Sequence, residues 1–244
     1  MNALRLDGRT NEQTRELVVA LDVVRAASGS AYVELGSTKV TCAVYGPRRA
    51  TRASDDMYVR GKVDVDVAFA PFASRDDSVP LGASSSASAS SRRDARDPRA
   101  RACALAVRAC VDSTVMLDRF PKSQLSVFIT VLSARGSEDV ACALAASAAL
   151  ASSGTESRDV ASACACALVR DAFVVDPTNE EVDVSDGVVF VSYASARDEI
   201  VATAIKGRMN AEACERACAA ATEGCRGFDR AIRDALRARV ERQG

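Results

Sequence analysis

Apolar and polar positions alternate with a period of two over several short stretches of the first half of the chain, and each stretch predicts a strand. The first runs over Glu16–Ala27, rich in β-branched residues. Gly29 and Ser30 turn the chain into a second, Ala31–Leu35. Gly36 and Ser37 lead to a third, Lys39–Tyr45, which Gly46 and Pro47 are expected to end. A polar loop follows over Arg48–Met57. At Lys62–Phe69 valines alternate with Asp64 and Asp66, so one face of that strand is solvated.

The period then changes. Residues 82–99 are Ser, Ala, Arg and Asp in low-complexity order and predict a loop. A helix is expected over Ala100–Met116, with Ala102, Leu105, Ala106, Ala109 and Val115 near one face. Phe120 and Pro121 close that connection. A strand is predicted at Gln124–Leu132 and an alanine-rich, closely packed helix at Val140–Ala151. Four more strands are expected at Val160–Val169, Ala172–Val175, Gly187–Tyr193 and Glu199–Ile205. Asn210 is placed to cap a final helix reaching about Val240, with a break expected near Gly224 and Gly227. This order of elements predicts an α+β fold, a mixed α/β sandwich, with residues 1–244 as one domain.

Composition narrows the chemistry. Hydrophobic residues make up 48% of 244, enough for a sizeable core, and the formal net charge is -1. Such a balance gives little unaided pull on nucleic acid, whose affinity comes largely from neutralised phosphates. No apolar run reaches the length of a membrane span. The polar start, Met1–Thr10, carries no apolar signal core, so the protein is not expected to be secreted. Nine cysteines without a Cys-x-x-Cys pair fit a reducing compartment, and their alanine neighbours fit close packing. There is no histidine. Ser-His-Asp and Cys-His mechanisms and histidine-containing zinc sites are therefore excluded.

Three segments carry a resemblance. The first is Arg5-Leu6-Asp7-Gly8-Arg9, then Gly29-Ser30-Ala31-Tyr32-Val33-Glu34-Leu35-Gly36-Ser37-Thr38-Lys39-Val40, then Val44-Tyr45-Gly46-Pro47-Arg48. The second is Phe120-Pro121-Lys122-Ser123-Gln124-Leu125, and the third Val175-Asp176-Pro177-Thr178-Asn179-Glu180-Glu181. In this order they resemble the ribonuclease PH family, over nearly the whole chain apart from the serine-rich loop. The resemblance implies two similar βαβ-containing halves and a six-membered ring with a central RNA channel. Among family members the likeness is to the ring subunits of the eukaryotic RNA exosome. It implies ribonuclease PH-like ring neighbours, cap subunits, RNA in the channel, no membrane and no cofactor, in the nucleus and nucleolus and also the cytoplasm.

Active members of the family cleave RNA from its 3′ end with inorganic phosphate. The phosphate is held at a Gly-Gly-Thr/Ser turn opening a helix, an Arg follows that turn, and two Asp stand six positions apart. Here the turn reads Arg135-Gly136-Ser137-Glu138-Asp139. Arg135 replaces the first Gly, and Glu138 occupies the position of the Arg. Two like charges about 4 Å apart repel by about 4 kcal/mol at an effective dielectric near 20. Asp176 matches the first catalytic Asp, but Val182 stands where the second belongs. Asp183, read as the next residue on a strand, would face the other way. Ser137 is expected as a helix N-cap, with Glu138 and Asp139 favourable in the first turn.

The upstream phosphate-binding Arg of the family falls near residues 94–99, where Arg93, Arg96 and Arg99 are available. Catalysis and metal binding are therefore not expected. The alternatives are a phosphorolytic 3′-to-5′ exoribonuclease and a ring of one subunit type. Candidate RNA contacts are Arg48, Arg49, Arg52, Arg60, Arg93 and Arg96, for each of which a solvated loop is the competing role. The chain lacks Trp and is 5% aromatic, so an independent base-stacking platform is not expected.

Overall fold

The computed structural model describes residues 5, 7–49, 60–73 and 97–243. Among the described residues, nine strands form two sheets. β1 (Leu17–Leu21), β2 (Gly29–Leu35), β3 (Thr38–Arg49), β4 (Lys62–Phe69) and β5 (Ser123–Ser133) lie in the order β1-β2-β3-β5-β4. β6 (Ala161–Val169), β7 (Ala172–Val175), β8 (Gly187–Ala194) and β9 (Glu199–Gly207) lie in the order β7-β6-β8-β9. Among the described residues only the β4–β5 pair is parallel, and the crossover between these strands contains helix α1 (Pro98–Thr114).

Helix α2 (Glu138–Ser152) packs on β2 and β3 of the first sheet and on β6 of the second. Being covered from both sides, it is buried nearly all round, which explains its run of Ala and Cys and its lack of a polar stripe. α1 lies against α2, β4 and β9. The last helix, α4 (Ala211–Gln243), covers the second sheet over β6 and β8 and reaches β1. β6, Ala161-Ser162-Ala163-Cys164-Ala165-Cys166-Ala167, is buried on both faces because helices press on it from each side. Small side chains are what permit that approach. All nine cysteines are free thiols. Burial pushes the Cys110 thiol up to about 11 and Cys166 to about 12, so these groups pack as small apolar side chains. Among the described residues no helix is long and apolar enough to cross a membrane.

Four expectations are corrected. β1 ends at Leu21, and Asp22 turns away with φ 59°. β3 does not stop at Gly46 and Pro47. A bulge there takes up the two residues and the ladder resumes with Arg48 opposite Gln124 and Arg49 opposite Ser123. A bulge is where a strand tolerates a proline that cannot donate, so Arg48 and Arg49 sit on a strand end and not in a loop. α4 runs unbroken past Gly224, whose role is clearance: a Cβ there would stand 2.7 Å from Cys164 Sγ. Finally, α1 begins earlier than Ala100. Asp97 caps it, accepting Arg99 N–H at 2.8 Å, and Pro98 fills the first turn. Most of the predicted 82–99 loop, up to residue 96, lies outside the described residues.

Candidate functional site

The turn at residues 135–137 and the Asp176 segment are brought together. The turn Arg135-Gly136-Ser137 leaves β5 and opens α2, and its backbone presses on the start of a short helix, α3 (Asn179–Asp183). A Cβ on Gly136 would stand 2.8 Å from Thr178 Cα and from Asn179 N, and Gly136 has φ 107°. Ser137, also left-handed at φ 54°, stands at the expected N-cap position of α2, but its side chain makes no capping hydrogen bond. Its hydroxyl donates to the Pro177 carbonyl at 2.9 Å instead. The expected N-cap is therefore a bridge between the turn and the Asp176–Pro177 corner.

α3 was not expected, and it changes the reading of the second Asp position. Residues 179–183 are helical, so the alternation of a strand does not apply to Val182 and Asp183. Thr178 and Glu181 carry the spacing of a capping box, and Glu181 accepts Thr178 N–H at 2.8 Å. That Thr-x-x-Glu pattern was the available signal. Val182, 37% exposed, lines a pocket of about 130 Å³ together with Ser137, Glu138, Asp139, Asn179, Arg99 and Lys206.

The anions of this pocket are provided by the chain itself. Glu138 Oε1 accepts Gly136 N–H at 3.4 Å, and Asp139 Oδ1 accepts Val140 N–H at 2.9 Å. Arg99 stands 3.6 Å from Glu138 and Lys206 3.5 Å from Asp139. Arg99 also lies over the Phe69 ring, 4.8 Å from its centroid. Of the arginines that the sequence offered near residues 94–99, Arg99 is thus placed at the turn. Arg93 and Arg96 lie outside the described residues.

Asp176 lies behind the pocket, 0% exposed. Arg15 holds it with Nε at 2.8 Å and Nη2 at 2.5 Å, Arg15 N–H donates at 2.9 Å, and Arg9 Nη1 approaches to 3.4 Å. Its carbonyl accepts from Arg5 and Arg9. The Arg-x-Asp-Gly-Arg segment is therefore a clamp on the Asp176 corner, a role that the motif alone did not disclose. Arg5 continues it with a bidentate pair to Glu181, Nε to Oε1 at 2.6 Å.

Burial opposes the charge on Glu181, yet the Arg5 and Thr178 hydrogen bonds outweigh it and hold the carboxyl below its usual range. A depressed folded value means that this contribution to stability is present above the ordinary glutamate pKa and lost as pH falls through the folded one. Denaturation midpoints measured across acid pH should therefore fall less steeply in Glu181→Gln than in the wild type.

The RNA candidates divide. Arg48 is exposed at the end of β3 and stands 5.7 Å from the Tyr45 ring centroid, with Phe128 edge-on to Tyr45. Arg49 is exposed beside it. Arg60 stands 3.4 Å from Asp118 and donates to the Asp112 carbonyl, so it ties down the start of β4. Arg52 lies outside the described residues. Arg135 is exposed and lines an open groove with Arg9, Arg15, Asp7, Glu16 and Glu180. Among the described residues no group of three Cys, Asp or Glu could hold a metal ion.

Two family descriptions match consecutive parts of the chain: the 3′ exoribonuclease family, domain 1, over residues 13–156, and domain 2 over residues 159–224. The chain is 30% identical to the exosome complex component Rrp41 of Cenarchaeum symbiosum, covering 92% of this chain and 87% of that one. It is 30% identical to the RRP41 homolog of Arabidopsis thaliana, covering 96% and 91%. Among solved structures, rice Rrp46 superposes with a TM-score of 0.79 at 20% identity over 96% of this chain and 100% of that one. A chain of the Archaeoglobus fulgidus exosome with RNA bound to the active site gives 0.75 at 23%, over 92% and 91%.

Proposed function

Because the chain belongs to the 3′ exoribonuclease family, the family of ribonuclease PH, we infer that it is an exosome core ring subunit that holds RNA and partner proteins without cutting RNA. The observation that carries the non-catalytic part is the Glu138 carboxylate on Gly136 N–H, where a phosphate oxygen would have to sit. A helix start favours one bound anion, and here the chain supplies two. Val182 takes the place of the second Asp, and Asp176 is fully engaged by arginines.

Within the exosome the subunit is of the mRNA transport regulator 3 type, also called exosome component 6. The stretch Phe173–Ile200, with Asp186-Gly187 and Arg197-Asp198-Glu199-Ile200, supports this. Its neighbours are other ribonuclease PH-like chains in a six-membered ring, with cap subunits on one face and RNA through the channel. Arg48 and Arg49 contribute channel charge. Its compartments are the nucleus, the nucleolus and the cytoplasm, where nine unpaired thiols persist.

A phosphorolytic 3′-to-5′ exoribonuclease is the second reading, and Arg99 beside the turn is the observation in its favour. Ring membership is tested by purifying the tagged chain from its native cell and measuring stoichiometry by native mass spectrometry. The expected result is one copy per assembly alongside different ribonuclease PH-like chains. An assembly built of this chain alone, or no family chain recovered, contradicts it.

A further inference from the structure

The first sheet is packed on one face and open on the other. α1 and α2 lie on the side that carries Val40, Cys42, Val67, Val127 and Ile129. On the opposite side Asp64, Asp66, Phe128 and Thr130 are exposed. Seven Phe and four Tyr are few for a stacking surface, yet the register puts Tyr32, Tyr45 and Phe128 together on this open face. Phe128 is 44% exposed and stands between β3 and β4. Val18, the other large apolar side chain exposed on this face, is three strands away. There is thus no continuous apolar patch of the size that a protein partner buries, about 800 Å². A single accessible ring suits a nucleobase.

The neighbours of Phe128 indicate which base. Its row across the sheet reads Ala43, Phe128, Asp66. Ala43 leaves the ring open on one side, and Asp66 stands on the other at the usual strand spacing of about 4.8 Å. The next row reads Tyr45, Ser126, Asp64, and the Tyr45 and Phe128 rings meet edge-on with centroids 5.8 Å apart. Arg48 lies over Tyr45, 5.7 Å from its centroid. Asp64 is engaged by Gln124 at 3.4 Å. The Asp66 carboxylate and the Arg48 guanidinium make no hydrogen bond or ion pair among the described residues. The accessible ring is therefore flanked by an unpaired anion and an unpaired cation.

We propose that this face binds a guanine nucleotide of single-stranded RNA. The base stacks on Phe128, the Asp66 carboxylate accepts from its N1–H and 2-amino group, and Arg48 pairs with a phosphate. A carboxylate only accepts, through two oxygens, and guanine presents two adjacent donors to it. Uracil presents one N–H between two carbonyls, which the same carboxylate repels. Asp64 and Asp66, both on β4, keep the RNA backbone on the β3 side, where Arg48 stands. The site rests on the reading that this chain holds RNA and adds a base preference to it.

The test is fluorescence anisotropy of two short labelled RNAs, oligouridine and the same oligomer with one guanine, titrated with the purified full chain at low salt. The guanine is expected to tighten binding by about tenfold. Asp66→Asn should remove most of that preference without weakening oligouridine. Phe128→Leu, which keeps an apolar side chain on the strand, should weaken the guanine RNA by about tenfold. Arg48→Gln should weaken both RNAs alike and lower the salt slope by about one. Binding of both RNAs with equal affinity, or wild-type binding by Phe128→Leu, overturns the guanine site alone. Binding of neither RNA counts against the RNA reading as well. Guanosine monophosphate that competes as well as the RNA assigns the site to free nucleotides and overturns the RNA assignment. A Phe128→Leu protein with altered sedimentation and unaltered RNA binding assigns the face to a protein contact instead. Asp66→Asn changes an exposed, unpaired group, so its result decides even if Phe128→Leu does not fold.

Discussion

Asp176→Ala is expected to destabilise the protein by about 3–5 kcal/mol, the usual cost of removing one partner from a buried ion pair. The carboxylate is inaccessible and holds Arg15 through two side-chain nitrogens and a backbone N–H, with Arg9 as a second cation. Its loss would leave the Arg15 guanidinium, on a side chain only 9% exposed, without its anion, and would remove one of the two carboxylates beside Arg9. For a chain of this length that corresponds to a melting temperature lower by roughly 10 °C. Asp183→Ala, on the exposed side of α3, should change stability by less than about 0.5 kcal/mol. Thermal and denaturant unfolding of the two variants compare them directly. A folded Asp176→Ala protein of wild-type stability would mean that Asp176 is free for chemistry, against the role assigned to it here.

The second large effect is at Gly136. Alanine there must adopt φ 107°, a conformation that L side chains rarely take, and its Cβ would meet the Thr178 and Asn179 backbone at 2.8 Å. Neither backbone can move without breaking the Ser137–Pro177 bridge or the start of α3. We expect a loss of about 2–4 kcal/mol in denaturant unfolding. Gly227→Ala should have the opposite sign. That glycine is inside α4, and an added Cβ would find nothing within 4 Å, so alanine should add about 0.5–1 kcal/mol. Equal effects at the two glycines would show that the contact between the turn and α3 has no energetic weight.

Much of the fold was legible because its strands are short and their alternation is clean. Lys62–Phe69 and Ala172–Val175 have the bounds that the pattern predicts, and both central helices are present with ends shifted by a few residues. What failed had local causes. Gly46 and Pro47 read as a stop because a bulge is not visible in a one-strand pattern; only β5 alongside shows that the ladder resumes. Gly224 reads as a helix breaker until Cys164 is seen beneath it. α3 is too short for periodicity to reveal, although its Thr178–Glu181 spacing was available.

The candidate site was legible as a set of residues but not as an arrangement. Arg135, Gly136, Ser137, Glu138, Asp176 and Val182 do converge, yet they separate into an accessible pocket and a buried clamp. Sequence could register that Glu138 has the wrong sign for phosphate. That its carboxylate folds back onto the Gly136 amide, with Arg99 delivered by the start of α1, depends on contacts between residues 39 positions apart and could not be read from spacing. The Arg5–Glu181 pair, separated by 176 residues, is a further case.

If this chain keeps a nuclease fold without the nuclease chemistry, it should release no nucleoside diphosphates from RNA. Purified protein, folded by circular dichroism, would be incubated with single-stranded RNA and inorganic phosphate, and the products separated by chromatography. No nucleoside diphosphate above the phosphate-free control is expected, because Glu138 and Asp139 already hold the amides and cations of the turn. Phosphate-dependent shortening of RNA from its 3′ end, with nucleoside diphosphates released in proportion, would contradict a non-catalytic role.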